Sequence, residues 1–216
     1  TTSELPEERR SRKAEPAASE RRCYGQYRNV LLTDSEYSAI QKEYPEQASS
    51  VITKLDEYME LFVNLQLEIH SKTSPRLNKL KDKLVMQIDS LKEELDATTR
   101  YELHTRLDGM PKHTKVCHGD FNPSNVVINE KGAFVIDWSH ATQGNASADA
   151  AMTYLLFSLE NEKLAEKYME LFCRKSDTAR QYVQQWLPIV AAAQMTKKKD
   201  SERKFLARWI DVIEYQ

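Results

Sequence analysis

Residues 118–137 read HGDFNPSNVVINEKGAFVID, and the prediction of the fold starts from them. Two short runs rich in β-branched and aromatic residues, 126–129 and 133–137, stand on either side of the turn-forming sequence Asn-Glu-Lys-Gly. Such a turn between two such runs is typical of a β-hairpin. We therefore predict one small hairpin in this part of the chain.

The register of this hairpin predicts where two polar side chains meet. If the turn centres on Lys131, Val127 lies opposite Val135 and Asn125 lies opposite Asp137. An amide oxygen and a carboxylate held side by side are hard ligands, which suit Mg²⁺ together with phosphate oxygens and water. Asn125 and Asp137 are therefore the predicted metal ligands. A slip of one residue separates them, and Asp137 then only ends a strand.

The residues just before the hairpin carry a second pattern. His118, Asp120 and Asn125 have the spacing H-x-D-x-x-x-x-N of a kinase catalytic loop. In that chemistry the carboxylate of Asp120 accepts the proton of a substrate hydroxyl while a γ-phosphoryl group moves. His118 is either a second base or a residue that supports the loop, and we favour support because one base is enough. Gly119 allows a tight bend between the two.

Residues 118–151, HGDFNPSNVVINEKGAFVIDWSHATQGNASADAA, resemble the aminoglycoside phosphotransferase and choline kinase-like family, which shares the protein-kinase fold. The resemblance implies that Asp120 is the catalytic residue and that Asn125 and Asp137 bind the metal. It also implies that Asp149 begins a helix and supports the catalytic loop together with His118. It covers about residues 61–216 and leaves the nucleotide-binding residues unknown.

The rest of the chain has mostly helical periodicity. The predicted fold class is α+β, mostly α, namely the C-terminal lobe of a protein-kinase-like fold with a small β-hairpin bearing the metal loop. Apolar residues recur at intervals of three and four, as in amphipathic helices. The predicted helices are 33–40, ended by Pro45, and then 51–65, 76–96, 98–108, 149–160, 162–174, 178–195 and 200–214.

Three segments are expected along the chain. Residues 1–22 are rich in charge and poor in apolar residues, which predicts a disordered tail. Residues 23–60 form a helical segment that is similar to one in phage replication-associated proteins, and residues 61–216 form the kinase-like lobe. The N-terminal lobe is expected to be absent, because only Gly25 and Gly109 precede residue 115 and no strand there carries a lysine.

Composition narrows the classes of function. The chain has 216 residues, 31 basic and 33 acidic, for a net charge of −2, which argues against a dedicated nucleic-acid surface. It has no long apolar run that would cross a bilayer, and no signal peptide is expected. Three cysteines without CxxC spacing predict reduced thiols, a cytoplasmic location and no structural zinc.

Three hypotheses of function remain open at this point. The first is transfer of the γ-phosphate of ATP or GTP, with Mg²⁺, to a hydroxyl of a small molecule, impaired by the missing N-terminal lobe. The second is a catalytically inactive truncated or chimeric remnant that acts at most as a binding module. The third is a partner-docking unit in residues 23–60. A lobe without its N-terminal neighbour is also expected to self-associate through the exposed face or to be covered by residues 23–60.

Overall fold

The computed structural model describes residues 45–210, and for residues 45–53 it describes the backbone alone. The predicted tail at 1–22 and the predicted helix at 33–40 lie outside the described residues. Among the helices of the described part, none is long and apolar enough to cross a membrane.

Helices make up most of the described chain, as predicted from the sequence. Two small antiparallel sheets accompany them, and each has two strands. The helices are α1 (Pro45–His70), α2 (Leu80–Ser90), α3 (Ala97–Gly109), α4 (Ala146–Glu160), α5 (Glu162–Ser176), α6 (Arg180–Gln184), α7 (Leu187–Met195) and α8 (Asp200–Ile210). The strands are β1 (Lys115–Cys117), β2 (Val126–Asn129), β3 (Gly132–Val135) and β4 (Thr142–Gly144).

The helix predicted at 178–195 is two helices, α6 and α7. Pro188 stands in the first turn of α7. Proline has no backbone N–H to donate to the preceding turn, so it is tolerated at the start of a helix and breaks its interior. The helix predicted at 76–96 is shorter and begins at Leu80. The residues before it bond to the strands instead, since Asn78 O accepts from Gln143 N at 2.9 Å and, earlier in the chain, Lys72 O accepts from Val116 N at 3.0 Å.

Helix α7 forms the centre of the core. Each of its residues from Leu187 to Met195 is buried, and it packs against α2, α3, α4 and α8. Its sequence, LPIVAAAQM, combines large apolar side chains with three alanines that let neighbouring helices approach closely. Lys197, two residues after the end of α7, reaches the loop that precedes the hairpin, where its Nζ atom lies 3.1 Å from Asp120 Oδ1.

Helix α1 brings the N-terminal part of the described chain into the same core. Phe62 stacks at a tilt on Phe121, with ring centroids 4.3 Å apart, and meets Phe157 edge to face at 5.4 Å. The helix continues without a break through residue 60. The boundary predicted between residues 60 and 61 therefore lies within one helix, and the division of the chain into segments stays a prediction.

The hairpin exists, but the predicted register is wrong by one residue. Asn129 and Gly132 pair across a turn of two residues, and the side-chain oxygen of Asn129 accepts a hydrogen bond from Lys131 N at 2.8 Å. Gly132 has φ +126°, which suits glycine. The observed pairs are Val126 with Val135, Val127 with Phe134, Ile128 with Ala133, and Asn129 with Gly132.

This register moves the two predicted metal ligands out of direct opposition. Asn125 lies opposite Ile136, because Asn125 O accepts a hydrogen bond from Ile136 N at 2.9 Å. Asp137 follows one residue later, in the left-handed region with φ 57° and ψ 64°. The left-handed conformation of Asp137 ends the extended backbone of the hairpin. The position of its carboxylate therefore depends on this turn and not on the pairing of β2 with β3.

Candidate active site

The predicted catalytic loop, called the catalytic loop below, is the segment that connects β1 to β2. Strand β1 pairs with β4, with Cys117 opposite Thr142, and the loop begins at the next residue. Gly119 bends the loop with φ +81°, and a Cβ atom on it would lie 2.6 Å from the backbone oxygen of His140. A larger residue is therefore excluded at Gly119 by both the backbone conformation and the close approach.

Asp149 holds the backbone of this loop. It lies buried in the first turn of α4. One carboxylate oxygen accepts from Gly119 N at 2.6 Å, and the other accepts from His118 N at 3.2 Å and is 2.9 Å from His70 Nε2. The nitrogen of the Gln66 side chain is also 3.4 Å from Asp149. Four donors on one carboxylate connect the catalytic loop to α1 and α4.

The contacts of Asp149 keep it ionised although it is buried. Burial by itself raises the pKa of a carboxyl group. The hydrogen bond and charge of His70, followed by the amides of Gly119 and His118, outweigh burial, so that the pKa of Asp149 lies below its ordinary value. The negative charge of Asp149 is therefore a lasting part of the site at neutral pH.

His118 is fully buried beneath the loop, and both ring nitrogens are engaged. Its Nε2 atom lies 3.0 Å from the carbonyl oxygen of Ile136, and its Nδ1 atom accepts from Asp120 N at 3.3 Å. The ring also packs against Trp138, with centroids 4.8 Å apart. A ring whose nitrogens both bind the backbone connects the loop to the end of the hairpin, and this geometry is that of a supporting residue.

Asp120 is the acidic residue of the loop that stays accessible, with 18% of its side chain exposed. Asn125 approaches it from one side: the Asn125 amide nitrogen donates to Asp120 O at 2.8 Å and lies 3.4 Å from Asp120 Oδ2. The side chain of Lys197 forms a salt bridge with the other carboxylate oxygen, Oδ1, at 3.1 Å. Asp120 therefore lies at the surface of the site, between an amide and an ammonium group.

Asn125 and Asp137 were the residues predicted to bind metal, and their chemistry fits that role. The amide nitrogen of Asn125 donates toward Asp120, which leaves its carbonyl oxygen as the atom available to a cation. Asp137 is exposed and accepts from Ser139 Oγ at 2.7 Å. The bonds from Ser139 hold the pKa of Asp137 below its ordinary value, so its carboxylate is charged.

In the described part of the chain, no group of three or more His, Cys, Asp or Glu side chains is arranged to bind a metal ion. A Mg²⁺ site made of one amide and one carboxylate does not need such a group, because phosphate oxygens and water complete its coordination. Asn125 and Asp137 therefore stay the predicted ligands of Mg²⁺.

Four polar residues of the site were missed in the sequence. Gln66 and His70 lie four residues apart on one face of α1, where both are buried. Polar residues inside an apolar helical stripe indicate a buried hydrogen-bond network. This pattern is the signal in the sequence that points to Gln66 and His70. Lys83 and Lys197 look like ordinary charged residues of a helix and of a lysine run, and only the tertiary structure brings them to Asp120.

Comparisons with known proteins identify relatives of this arrangement. A family model described as "Phosphotransferase enzyme family" matches residues 6–186, a range that includes residues 23–60. A search of curated proteins found no match. The likeness of residues 23–60 to a phage replication segment stays a prediction.

Solved structures show the same fold. Choline kinase LicA from Streptococcus pneumoniae aligns with a TM-score of 0.54 and 16% identity, over 73% of this chain and 65% of that chain. LicA in complex with AMP aligns with a TM-score of 0.52 and 17% identity, over 75% of this chain and 63% of that chain. This chain thus spans less than two thirds of the length of LicA. The mostly α, kinase-like fold predicted from the sequence is confirmed.

Proposed function

The chain belongs to the phosphotransferase enzyme family, and from this premise we propose that it transfers the γ-phosphate of ATP or GTP to a hydroxyl group of a small molecule. The observation that carries the proposal is the loop geometry. The carboxylate of Asp120 is accessible, Asn125 lies against it, and buried Asp149 holds the loop backbone through Gly119 N and His118 N.

Each of these residues has a place in the proposed reaction. Asp120 accepts the proton of the acceptor hydroxyl, whose oxygen forms a bond to the γ-phosphorus as the bond to the leaving nucleoside diphosphate breaks. Asn125 and Asp137 would hold Mg²⁺, which neutralises charge on the phosphates when it is bound. His118 and Asp149 position the loop and do not exchange protons with substrate.

The comparisons support a nucleotide as the donor. One of the similar proteins, the choline kinase LicA, was solved in complex with AMP. The choice between ATP and GTP belongs to the proposal, as does the small-molecule acceptor. A cytoplasmic location, where such nucleotides are abundant, agrees with the free thiols of Cys117 and Cys173.

Calorimetric titration with Mg²⁺–ATP tests the proposal directly. We expect wild-type binding that needs Mg²⁺, and a loss of affinity of about tenfold or more in Asp137→Ala, since a charged ligand contributes about 1.5–3 kcal/mol. Asp137→Asn is a second variant, because asparagine tolerates the left-handed backbone found at this position. The exposed Asp108→Ala is the matched control and is expected to bind as the wild type does.

Three results would speak against the proposal. Binding that does not depend on Mg²⁺, or that Asp137→Ala leaves unchanged, would remove Asp137 from the site. No binding up to millimolar nucleotide would favour the alternative, a catalytically inactive remnant that acts at most as a binding module.

Self-association through the exposed face of the lobe is a further part of the proposal. Phe134, Ile136 and Trp138 lie on or just after the hairpin and are exposed by 46%, 42% and 42%. Adjacent exposed apolar side chains favour association because their contact removes apolar surface from water. We expect a concentration-dependent dimer on size-exclusion chromatography, and a monomer when Phe134 and Ile136 are both changed to serine. A wild-type monomer at all concentrations would refute self-association.

A further inference from the structure

Two lysines from separate elements lie beside the loop that carries Asp120. Lys83 lies on α2 and is half-buried, and its Nζ atom donates to the backbone oxygen of His140 at 3.0 Å. Lys197 follows the C-terminus of α7, and its Nζ atom lies 3.1 Å from Asp120 Oδ1. The two residues are 114 positions apart in the sequence, by subtraction of their numbers, so only the tertiary fold brings them together.

Lys197 and Asn125, one of the predicted metal ligands, approach different oxygens of the Asp120 carboxylate. Asn125 lies against Oδ2 of this carboxylate, whereas Lys197 binds Oδ1. In the proposed reaction the nucleotide phosphates and Mg²⁺ lie on the side of Asn125. The acceptor hydroxyl must reach Asp120 from another direction, and the side of Lys197 is available to it.

Asp120 is the accessible carboxylate on this side of the site, where Lys197 pairs with it, whereas Asp149 is buried and binds the loop amides and His70. Within residues 54–210 no carboxylate forms a salt bridge with Lys83, whose bonded partner is a backbone carbonyl. Burial lowers the pKa of Lys83 and the charge of Lys197 lowers it further, while Asp149 and Asp120 act in the opposite direction. Burial, Lys83 and Lys197 likewise lower the pKa of His140. The backbone oxygen of His140, which Lys83 binds, lies against Gly119, and Lys197 binds the next residue, Asp120. Both lysines therefore border the same two residues of the loop, where an anion would be attracted by both positive charges.

We propose that Lys83 and Lys197 bind an oxyanion of the acceptor, so that the phosphoryl acceptor of this chain is an anionic alcohol and not a quaternary ammonium alcohol. The inference rests on the proposed function, which it deepens by naming the acceptor class. A carboxylate or phosphate group on the acceptor binds both lysines, and its hydroxyl then lies near Asp120. Lys197 exchanges its ion pair with Asp120 for the acceptor anion, which frees Oδ1 to receive the hydroxyl proton.

The same oxyanion chemistry has a second source, the γ-phosphoryl group of the nucleotide. The two possibilities are distinguished by whether a bound nucleotide prevents a small anion from binding to the two lysines. An acceptor subsite stays open when the nucleotide is bound. A γ-phosphate subsite is filled by it.

Inorganic phosphate is the probe for the experiment. Calorimetric titration of the full chain with phosphate is expected to show binding that falls about tenfold or more in Lys83→Met and in Lys197→Met, since each loses a charge-assisted hydrogen bond. Methionine keeps the length and the apolar stem of lysine. Lys83→Arg and Lys197→Arg keep the charge and are expected to retain most of the binding.

Two neighbouring lysines provide matched controls. Lys81 lies on the same helix as Lys83 and donates to Asp108 O at 3.2 Å. Lys198 follows Lys197, is 77% exposed and pairs with Glu94 at 3.7 Å. We expect Lys81→Met and Lys198→Met to bind phosphate as the wild type does, and thermal melting verifies that all variants are folded.

A second titration, in saturating Mg²⁺ and a non-hydrolysable ATP analogue, separates the two sources. Phosphate binding that persists beside the analogue supports the acceptor subsite. Competition between phosphate and the analogue overturns it in favour of the γ-phosphate. Absent phosphate binding, or equal losses in the control variants, also overturns the inference. If the analogue does not bind, the proposed function fails, and the phosphate titrations of the variants still decide whether the lysine pair binds an anion.

Discussion

Replacement of Asp149 by alanine is expected to lower the free energy of unfolding by about 3–5 kcal/mol, as is usual when one partner of a buried charged network is removed. The carboxylate accepts from the loop amides of His118 and Gly119 and contacts His70 and Gln66. Alanine leaves the two loop amides and His70 Nε2 without this acceptor in the core, where an unpaired polar group costs about 1–3 kcal/mol. The Gln66 amide keeps its bond to Thr153 Oγ1 at 3.0 Å. The free energy of unfolding therefore falls by more than the loss of one surface interaction would cause.

Urea denaturation followed by circular dichroism measures this effect. Asp89→Ala is the matched control, because Asp89 also contacts a histidine, His104 at 3.0 Å, but its side chain is 56% exposed. Exposed pairs contribute about 0–1 kcal/mol, so the control is expected to unfold almost as the wild type does. If Asp149→Ala were no more destabilising than Asp89→Ala, Asp149 would not hold the loop.

The same residue predicts how stability depends on pH. Since the pKa of Asp149 is lower in the folded chain than its ordinary value of about 4, protonation favours the unfolded chain. The contribution of Asp149 to stability is therefore complete above that ordinary value and is lost as the pH falls through the lower pKa of the folded state. Asp149→Asn, which cannot ionise, is expected to show a weaker loss of stability in acid than the wild type.

The hairpin could be predicted from the sequence, and the catalytic role of the loop before it stays a prediction, because both depend on local patterns. Asp120 and Asn125 are separated by a fixed spacing, and two short β-branched runs flank a turn sequence. The predicted register of the hairpin was wrong by one residue, because the turn sequence allows two turns. A turn centred on Lys131 and a two-residue turn closed by Asn129 are both compatible with Asn-Glu-Lys-Gly, and one hydrogen bond of the Asn129 side chain favours the second.

The rest of the site depends on contacts between distant parts of the chain. Strand β4 has three residues and forms because β1 pairs with it across the loop and hairpin, while Asn78 O binds Gln143 N. The lysines of the proposed anion site, Lys83 and Lys197, come together because α2 packs on α7. A strand of three residues is too short to show an alternating pattern. The sequence around a lysine does not indicate which charged groups will lie near it in the folded chain. Such features follow from packing, which the sequence pattern does not reveal directly.

Asp120→Asn is expected to lower the rate of phosphoryl transfer by about 10²–10⁴-fold, the usual contribution of a general base. Asparagine has the size of aspartate and can still accept the contacts that the Asn125 amide makes to this residue. It cannot accept the hydroxyl proton, and it no longer forms an ion pair with Lys197. We therefore expect transfer to be lost while Mg²⁺–nucleotide affinity stays within about twofold of the wild type, since the predicted metal ligands are untouched.

Acceptor-dependent release of ADP measures the transfer, with anionic and cationic alcohols screened as acceptors, and calorimetry measures the nucleotide affinity of the same samples. Asp82→Asn, an exposed carboxylate on α2, is the control and is expected to keep the wild-type rate. Equal rates for Asp120→Asn and the wild type would remove Asp120 from catalysis. A wild-type chain that binds Mg²⁺–ATP and transfers phosphate to none of the acceptors would instead favour the inactive binding module, because the loop would then retain its geometry without its chemistry.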